Sequence, residues 1–300
     1  IAGAEQGGAE SCAVDTIKAL HAAGIEQTVI CRPHKAFLTL VKDCAIEHYN
    51  LSFNRVLKWP QQTKINAIVK SEKPDLVHCW LNRAASFTPY QKTVPVLGWF
   101  GGYYDLKYYK SCDFFMGVTK DIVRYISNVT RTPDRAYVGH AFGTLETMGE
   151  VKKSDYGISD TTKVVLMLSR MHWKKGVDLL IDAASKIDDV IFLIAGDGPE
   201  IEKYRAQAHA LNLENRVLFL GWCKDRLGLL NIADVCVLPS RYEPFGIVIP
   251  ESWFARVPLV ATKADGAKHY VNHEKDGLLV EIDDCEGLVE ALQRALHDEA

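Results

Sequence analysis

Two carboxylates, Glu243 and Glu251, stand eight positions apart in the stretch Arg241-Tyr-Glu-Pro-Phe-Gly-Ile-Val-Ile-Pro-Glu-Ser-Trp253. Upstream, residues 233–239 read as a short buried strand that stops at Pro239; downstream, residues 251–255 begin a helical pattern. One acid therefore falls in a strand-to-helix turn and the other near the start of the helix. Pro244 and Gly246 let the backbone bend and expose its N–H groups. Free N–H groups and the positive end of a helix dipole attract anions. Carboxylates repel phosphate but accept well from hydroxyls. The combination points to a ligand with both phosphate and sugar parts, such as a sugar nucleotide.

Two cations, Arg170 and Lys175, follow another apolar run, residues 163–168, five positions apart across a loop-to-helix turn. Such a pair suits a diphosphate and can stabilise its charge as it leaves, Arg as a fork and Lys as a point charge. A solvated basic turn is the plain alternative for these two residues alone. Gly7 and Gly8 open a helical pattern and form a second candidate anion loop, although a glycine pair is more often a simple turn. Gly196 and Gly198 begin a dinucleotide-like fingerprint, but its third glycine position is Ile201, so a nicotinamide dehydrogenase is poorly supported. At the ends of two strands of the first half lie Asn82-Arg83 and the aromatic loop from Gly101 and Gly102 to Tyr109, with Asp105 and Lys107. Aromatic faces with a few polar groups suit a sugar or a lipid headgroup, and the competing reading is a packed surface loop.

These groups need elements to hold them. The second half alternates strands over 163–168, 190–195, 216–220, 233–239, 258–261 and 277–280 with helices over 177–187, 200–211, 225–232 and 286–296, and a loop over 263–267. Continuous apolar strands followed by amphipathic helices predict a parallel, doubly wound sheet with right-handed crossovers. The first half repeats the pattern. Strands are expected over 27–31, 75–80, 95–100, 112–118 and 135–140, with helices over 9–23 and 120–126 and further helical segments between 35 and 73. The candidate residues all lie at strand C-terminal ends, where open α/β sheets bind ligands. The expected architecture is α/β: two Rossmann-like domains facing a cleft, residues 1–145 and 163–300, joined by a linker over 146–162. A strand is expected ahead of the glycine loop that starts at Gly3.

Three hundred residues with 48% hydrophobic side chains can build two full cores. The net charge of −3 is uneven. Residues 1–150 carry 17 Lys+Arg against 14 Asp+Glu, and residues 151–300 carry 18 against 24. The basic first half favours an anionic acceptor or a membrane surface, unless it is ordinary surface variation. An acidic chain without a basic stripe argues against nucleic-acid binding. The eight cysteines show no CxxC pair and no metal-like clustering with His, and Cys31, Cys79 and Cys236 sit in strand-like runs. That usage fits a reducing cytoplasm. No apolar run approaches the ~20 residues that span a bilayer.

The motifs Ser169-Arg170 through Lys175-Gly176, Gly196–Pro199, Phe219–Trp222, Pro239–Gly246 with Glu251, and Asp276–Val280 together resemble the retaining glycosyltransferases of family 4, with the GT-B fold. Gly7-Gly-Ala-Glu10 is similar to the family's N-terminal glycine loop, and the 82–85 and 101–109 segments resemble a bacterial cell-envelope, lipopolysaccharide-type subset. The resemblance implies that Arg170 and Lys175 bind the donor diphosphate and that Glu243 contacts the donor sugar beside the N–H groups of Phe245, Gly246 and Ile247. Glu251 would hold the ribose hydroxyls. Gly221 and Trp222 would lie against the base, Gly196 and Gly198 would belong to the donor site, and Gly7 and Gly8 would close over phosphate or sugar. It further implies transfer with retained configuration, without a divalent metal or other cofactor, the leaving phosphate helping to take the acceptor's proton. The acceptor would be an envelope glycan or glycolipid at the cytoplasmic side, with peripheral membrane contact.

Two features depart from the family pattern. Gly101-Gly102 stands where a histidine facing the sugar is common, so Arg83, Asp105 and Lys107 are the candidates for acceptor or sugar contacts, and His78 reads as a strand-end histidine near the core. The family's last helix crosses back to the first domain, and none is expected before Ala300. A non-catalytic sugar-nucleotide-binding module is the first competing reading, and another GT-B enzyme, an epimerase or a phosphorylase, is the second.

Overall fold

The computed structural model describes residues 1–3, 7–141, 145 and 149–297. The chain divides into two compact units, Ile1–Gly143 and Thr144–Ala300. In the first unit the elements are α1 (Gly8–Ala22), β1 (Thr28–Cys31), α2 (Lys35–Asp43), β2 (Glu47–Asn50), α3 (Lys58–Glu72), β3 (Val77–Trp80), α4 (Leu81–Phe87), β4 (Val96–Phe100), β5 (Phe114–Gly117), α5 (Lys120–Thr130) and β6 (Ala136–Val138). Strands β1 and β2 pair in parallel, and β3-β4-β5-β6 form a second parallel sheet. Thr119 caps α5, its hydroxyl accepting from the Ile122 N–H at 3.0 Å, as a threonine at that position should.

The second unit holds β7 (Lys163–Leu168), α6 (Val177–Ala184), β8 (Val190–Ala195), α7 (Ile201–Ala210), β9 (Val217–Gly221), α8 (Arg226–Asn231), β10 (Val235–Leu238), α9 (Val248–Phe254), β11 (Leu259–Thr262), α10 (Asp265–Tyr270), β12 (Leu278–Val280) and α11 (Cys285–His297). Its sheet runs β12-β11-β10-β7-β8-β9, every pair parallel. Strand β7 shows why an uninterrupted apolar run is needed here. Val165 and Met167 enter the core under α6, α7 and α11, while Val164, Leu166 and Leu168 enter the core on the other face. All five are buried, because neither face of the sheet meets water. The strand order reverses between β7 and β10, which makes their C-terminal ends the switch point of the fold.

Three segments differ from the sequence reading. The loop expected over 263–267 contains the start of α10, and Asn82–Ala85, expected as a strand-end loop, lies in α4. The stretch 146–162 is not an extended linker where it is described; residues 146–148 lie outside the described residues. Residues 153–156 form a 3-10 turn and Ile158 is buried in the core of the second unit. Lys153 Nζ donates to Asp234 Oδ2 at 3.1 Å and to the Thr162 carbonyl at 2.8 Å. Asp234 also accepts from Lys163 at 3.0 Å and from the Val164 N–H at 2.9 Å, so this stretch is tied to the sheet at 71 and 81 residues' remove. The irregular composition hid one buried isoleucine and one long-range carboxylate.

Candidate functional site

Lys175 and Glu243 meet. Lys175 ends the 3-10 turn Trp173–Lys175 after β7, Glu243 follows β10, and Lys175 Nζ donates to Glu243 Oε2. Two backbone features force that meeting. Gly176 adopts φ +68°, and a Cβ there would stand 1.9 Å from the Pro239 carbonyl oxygen. The β7 loop can therefore approach the β10 loop only because residue 176 has no side chain. Across the same contact the N–H groups of Arg241 and Tyr242 donate to the Lys174 carbonyl at 2.8 and 3.1 Å.

Arg241 locks this contact from the side. Its guanidinium forks onto Asp178 of α6 through two bonds of 2.8 Å, reaches Asp283 Oδ1 from Nε at 2.6 Å, and donates to the Trp173 carbonyl at 2.8 Å. Sequence reading missed this clamp because Asp178 and Arg241 are 63 positions apart. The Asp178 hydrogen bonds, with the charges of Asp178 and Asp283, hold the guanidinium firmly in its charged form. Burial works against the Asp178 carboxylate, yet Arg241 holds its pKa below the usual range. A depressed carboxyl pKa stabilises the fold above the ordinary value near ~4 and loses that contribution as pH falls through the folded-state value. Acid titration of unfolding is expected to show the second unit weakening below about pH 4, with a shallower slope there in Asp178→Asn. Replacing Arg241 by Ala should cost on the order of 2 kcal/mol, since two carboxylates and a carbonyl lose a charged donor. Arg241→Lys should recover only part of it, because an ammonium cannot reproduce the fork. Thermal unfolding of both variants checks this.

Glu251, 3% exposed, lies in α9 and pairs through Oε1 with Arg226 Nη1 of α8. Arg226 was not a sequence candidate; it lies 25 residues away on another element. Gly246 adopts φ +82° ahead of α9, and the N–H groups of Gly246 and Ile247 have no acceptor among the described residues. Arg170 is exposed after β7 and makes no ion pair with a described residue, so its fork faces solvent in the same loop as Lys175. Trp222, 49% exposed, follows Gly221 at the end of β9.

Gly196 and Gly198 have a packing reason of their own. A Cβ on Gly196 would lie 1.8 Å from the Ser169 carbonyl, and one on Gly198 would lie 2.4 Å from the Met171 carbonyl. Ser169 N–H donates to Ala195 O and Met171 N–H to Asp197 O, both at 3.0 Å. These glycines dock the β8 loop beneath the Arg170 loop, so they shape the site through backbone contact.

In the first unit, Gly7 is the residue before α1 and Gly8 its first residue, with Glu10 in the first turn. A Cβ on Gly7 would stand 2.4 Å from a Glu10 carboxylate oxygen, which places an acid beside the candidate anion loop. Arg83 is exposed on α4. Asp105 and Lys107 turn toward each other: the carboxylate accepts the Lys107 N–H at 2.9 Å and pairs with its ammonium at 2.5 Å. The aromatic loop is largely packed rather than presented. Tyr109 is buried, stacked on Phe100 at 4.0 Å, and donates to the Trp99 carbonyl; Tyr103 donates to Asp121. Gly101 leaves room for the Trp99 ring, and Gly102 is buried. His78 packs 4.9 Å from Trp80 and burial pushes its imidazole down to about 4, the behaviour of a neutral core histidine.

Residues 149–300 match the model of the family described as glycosyl transferases group 1. The chain is 31% identical over 98% of its length, and 87% of the relative's, to the lipopolysaccharide core biosynthesis glycosyltransferase LpsE of Rhizobium meliloti (strain 1021). It is 29% identical to LpsD of the same organism, covering 98% of this chain and 86% of that one. Among solved structures, HepE of Anabaena in complex with UDP-glucose superposes with a TM-score of 0.83 at 22% identity, covering 98% of this chain and 87% of that chain. That likeness bears out the GT-B fold of two Rossmann-like domains.

Proposed function

We propose, because the chain belongs to the group 1 glycosyl transferases, that this glycosyltransferase moves a sugar from a nucleotide-sugar donor to a cell-envelope glycan or glycolipid. The observation that carries the donor site is the meeting of Lys175 with Glu243 at the switch point of the second sheet. An ammonium has three donors. Glu243 engages one, and the others are available to diphosphate oxygens, joined by the Arg170 fork. The charge that develops on the leaving diphosphate would be met by both cations. Glu243 would hold the sugar hydroxyls through its acceptor lone pairs, and Glu251, steadied by Arg226, the ribose hydroxyls. Both carboxylates are engaged by cations, which supports donor positioning over an acid/base pair. Trp222 offers a flat apolar face for the base, and the N–H groups of Gly246 and Ile247 offer anion contacts. UDP-glucose in the HepE structure supports a nucleotide sugar as the donor class.

The acceptor class rests on the names of the Rhizobium relatives and on the basic first unit, to which the acceptor role belongs in this reading. Transfer proceeds with retained configuration and without a divalent metal, the leaving phosphate taking the acceptor's proton. Arg170 and Lys175 supply the charge stabilisation that a metal supplies elsewhere. The reaction takes place on the cytoplasmic side, where eight free cysteines are at home, with the enzyme in peripheral contact with the membrane. Among the described residues no helix is long and apolar enough to cross a membrane.

Incubating the chain with radiolabelled nucleotide sugars and envelope glycolipid is expected to yield labelled lipid of unchanged anomeric configuration. Inverted product contradicts the mechanism, and absence of transfer from every donor contradicts the function. Chelation with EDTA is expected to leave the rate within about 2-fold; a 10²-fold loss, the scale of a lost electrostatic contact, restored by Mg²⁺, would show a metal requirement.

A further inference from the structure

Among the described residues of the first unit, the two most exposed large apolar side chains fall within a few consecutive residues. Val56 is 89% exposed, Leu57 51% and Trp59 77%, and Arg55 and Lys58, between and beside them, are exposed as well. The segment is held by its neighbours. The side chain of Gln61, itself buried, accepts the Phe53 N–H at 2.7 Å and donates to the Asn54 and Leu57 carbonyls at 3.3 and 3.2 Å. Asn54 Oδ1 accepts the Val56 N–H at 3.0 Å, while Phe53 is buried against Phe87, with ring centroids 5.5 Å apart. The turn is pinned from below, and the pinning presents three apolar side chains to solvent. Single exposed leucines are ordinary, but a fixed apolar run is not.

Charge selects the occupant. Residues 48–71 contain Arg55, Lys58, Lys64 and Lys70 and no aspartate or glutamate. Apolar side chains that include a tryptophan, flanked by cations without a neighbouring carboxylate, match the interface of an anionic bilayer, where the indole sits at headgroup level and the cations meet phosphates. We infer that residues 55–59 are a membrane-docking turn that inserts Val56, Leu57 and Trp59 shallowly into an anionic phospholipid surface. This deepens the proposal that the enzyme works in peripheral contact with a membrane. It assigns that contact to one turn of the first unit.

Flotation of the full chain with vesicles of phosphatidylglycerol and phosphatidylcholine tests this, beside vesicles of phosphatidylcholine alone. Binding is expected to the anionic vesicles only. Val56→Ser with Trp59→Ser should weaken it about 10-fold or more by removing apolar contact, and Arg55→Ala with Lys58→Ala about 10- to 30-fold by removing two cations. Both pairs are exposed, and the contact of Lys58 with the core is its ammonium 5.9 Å from the Phe87 ring, so the unfolding midpoint and vesicle-free donor hydrolysis should stay close to wild-type values. No binding, equal binding to both vesicle types, or unchanged binding in both variants would overturn the inference. Concentration-dependent self-association that Trp59→Ser abolishes would also overturn it, by making a second copy the occupant. Vesicle binding with this residue dependence in a chain that turns over no donor would leave the docking turn standing and remove the catalytic reading.

Discussion

Lys175→Ala is expected to lower glycosyl transfer by about 10²–10³-fold, the range for losing one preorganised electrostatic contact in the transition state. The unfolding midpoint should barely move, because the ammonium is partly solvated and its pair with Glu243 is a single bond between side chains. Glu243→Ala should lower the rate over a similar range, since the proposed sugar contact is lost and Lys175 loses its carboxylate partner. The two losses should not add. Residues in direct contact couple, so the double variant is expected to fall only modestly below either single one. Steady-state rates and melting curves for the three proteins decide this. Rates that multiply in the double variant would separate the roles of the two residues.

The second large effect is on the backbone between them. Gly176→Ala places a methyl 1.9 Å from the Pro239 carbonyl oxygen at a residue with φ +68°. The left-handed conformation alone costs roughly 1–2 kcal/mol for an L-residue, and the clash is with backbone, which cannot swing aside. A total on the order of 3 kcal/mol or more is expected, read as a melting midpoint lower by about 6–12 °C for a unit of this size. Activity should fall further than stability explains, because separating the β7 and β10 loops moves Lys175 away from Glu243, and a misplacement of about 1 Å can cost 10²-fold. Serine at position 173 is the useful contrast: Trp173 is exposed and contributes its carbonyl to Arg241, so Trp173→Ser keeps the backbone contact and should leave the midpoint close to wild type.

The parts legible from sequence were those written in local pattern. Strands β7 and β8 coincide with continuous apolar runs from Lys163 and Val190, because a strand buried on both faces admits no polar interruption. Lys175 and Glu243 could be placed at strand ends, and the switch point then brings them together. What stayed hidden depends on distant partners. Nothing near Arg241 announces Asp178 or Asp283, and nothing near Glu251 announces Arg226. Gly196 and Gly198 looked like ligand-facing glycines, whereas the atoms nearest their missing side chains belong to Ser169 and Met171. Asp105 and Lys107 looked like a polar pair offered to a sugar, and they satisfy each other. A sequence shows residue types at a loop but not whether the loop's neighbour is a ligand or another loop.

In the proposed reading, the Lys175 and Glu243 loops of the second unit hold a nucleotide-sugar diphosphate. A thermal-shift panel of nucleoside diphosphates on wild type and Lys175→Ala tests it most directly. At 100-fold its dissociation constant a ligand adds about 2.7 kcal/mol, so at least one diphosphate should raise the wild-type midpoint by several degrees. The same compound should give a much smaller shift in the variant. Equal shifts in both proteins, or no shift from any nucleoside diphosphate, would rule out a diphosphate site at Lys175.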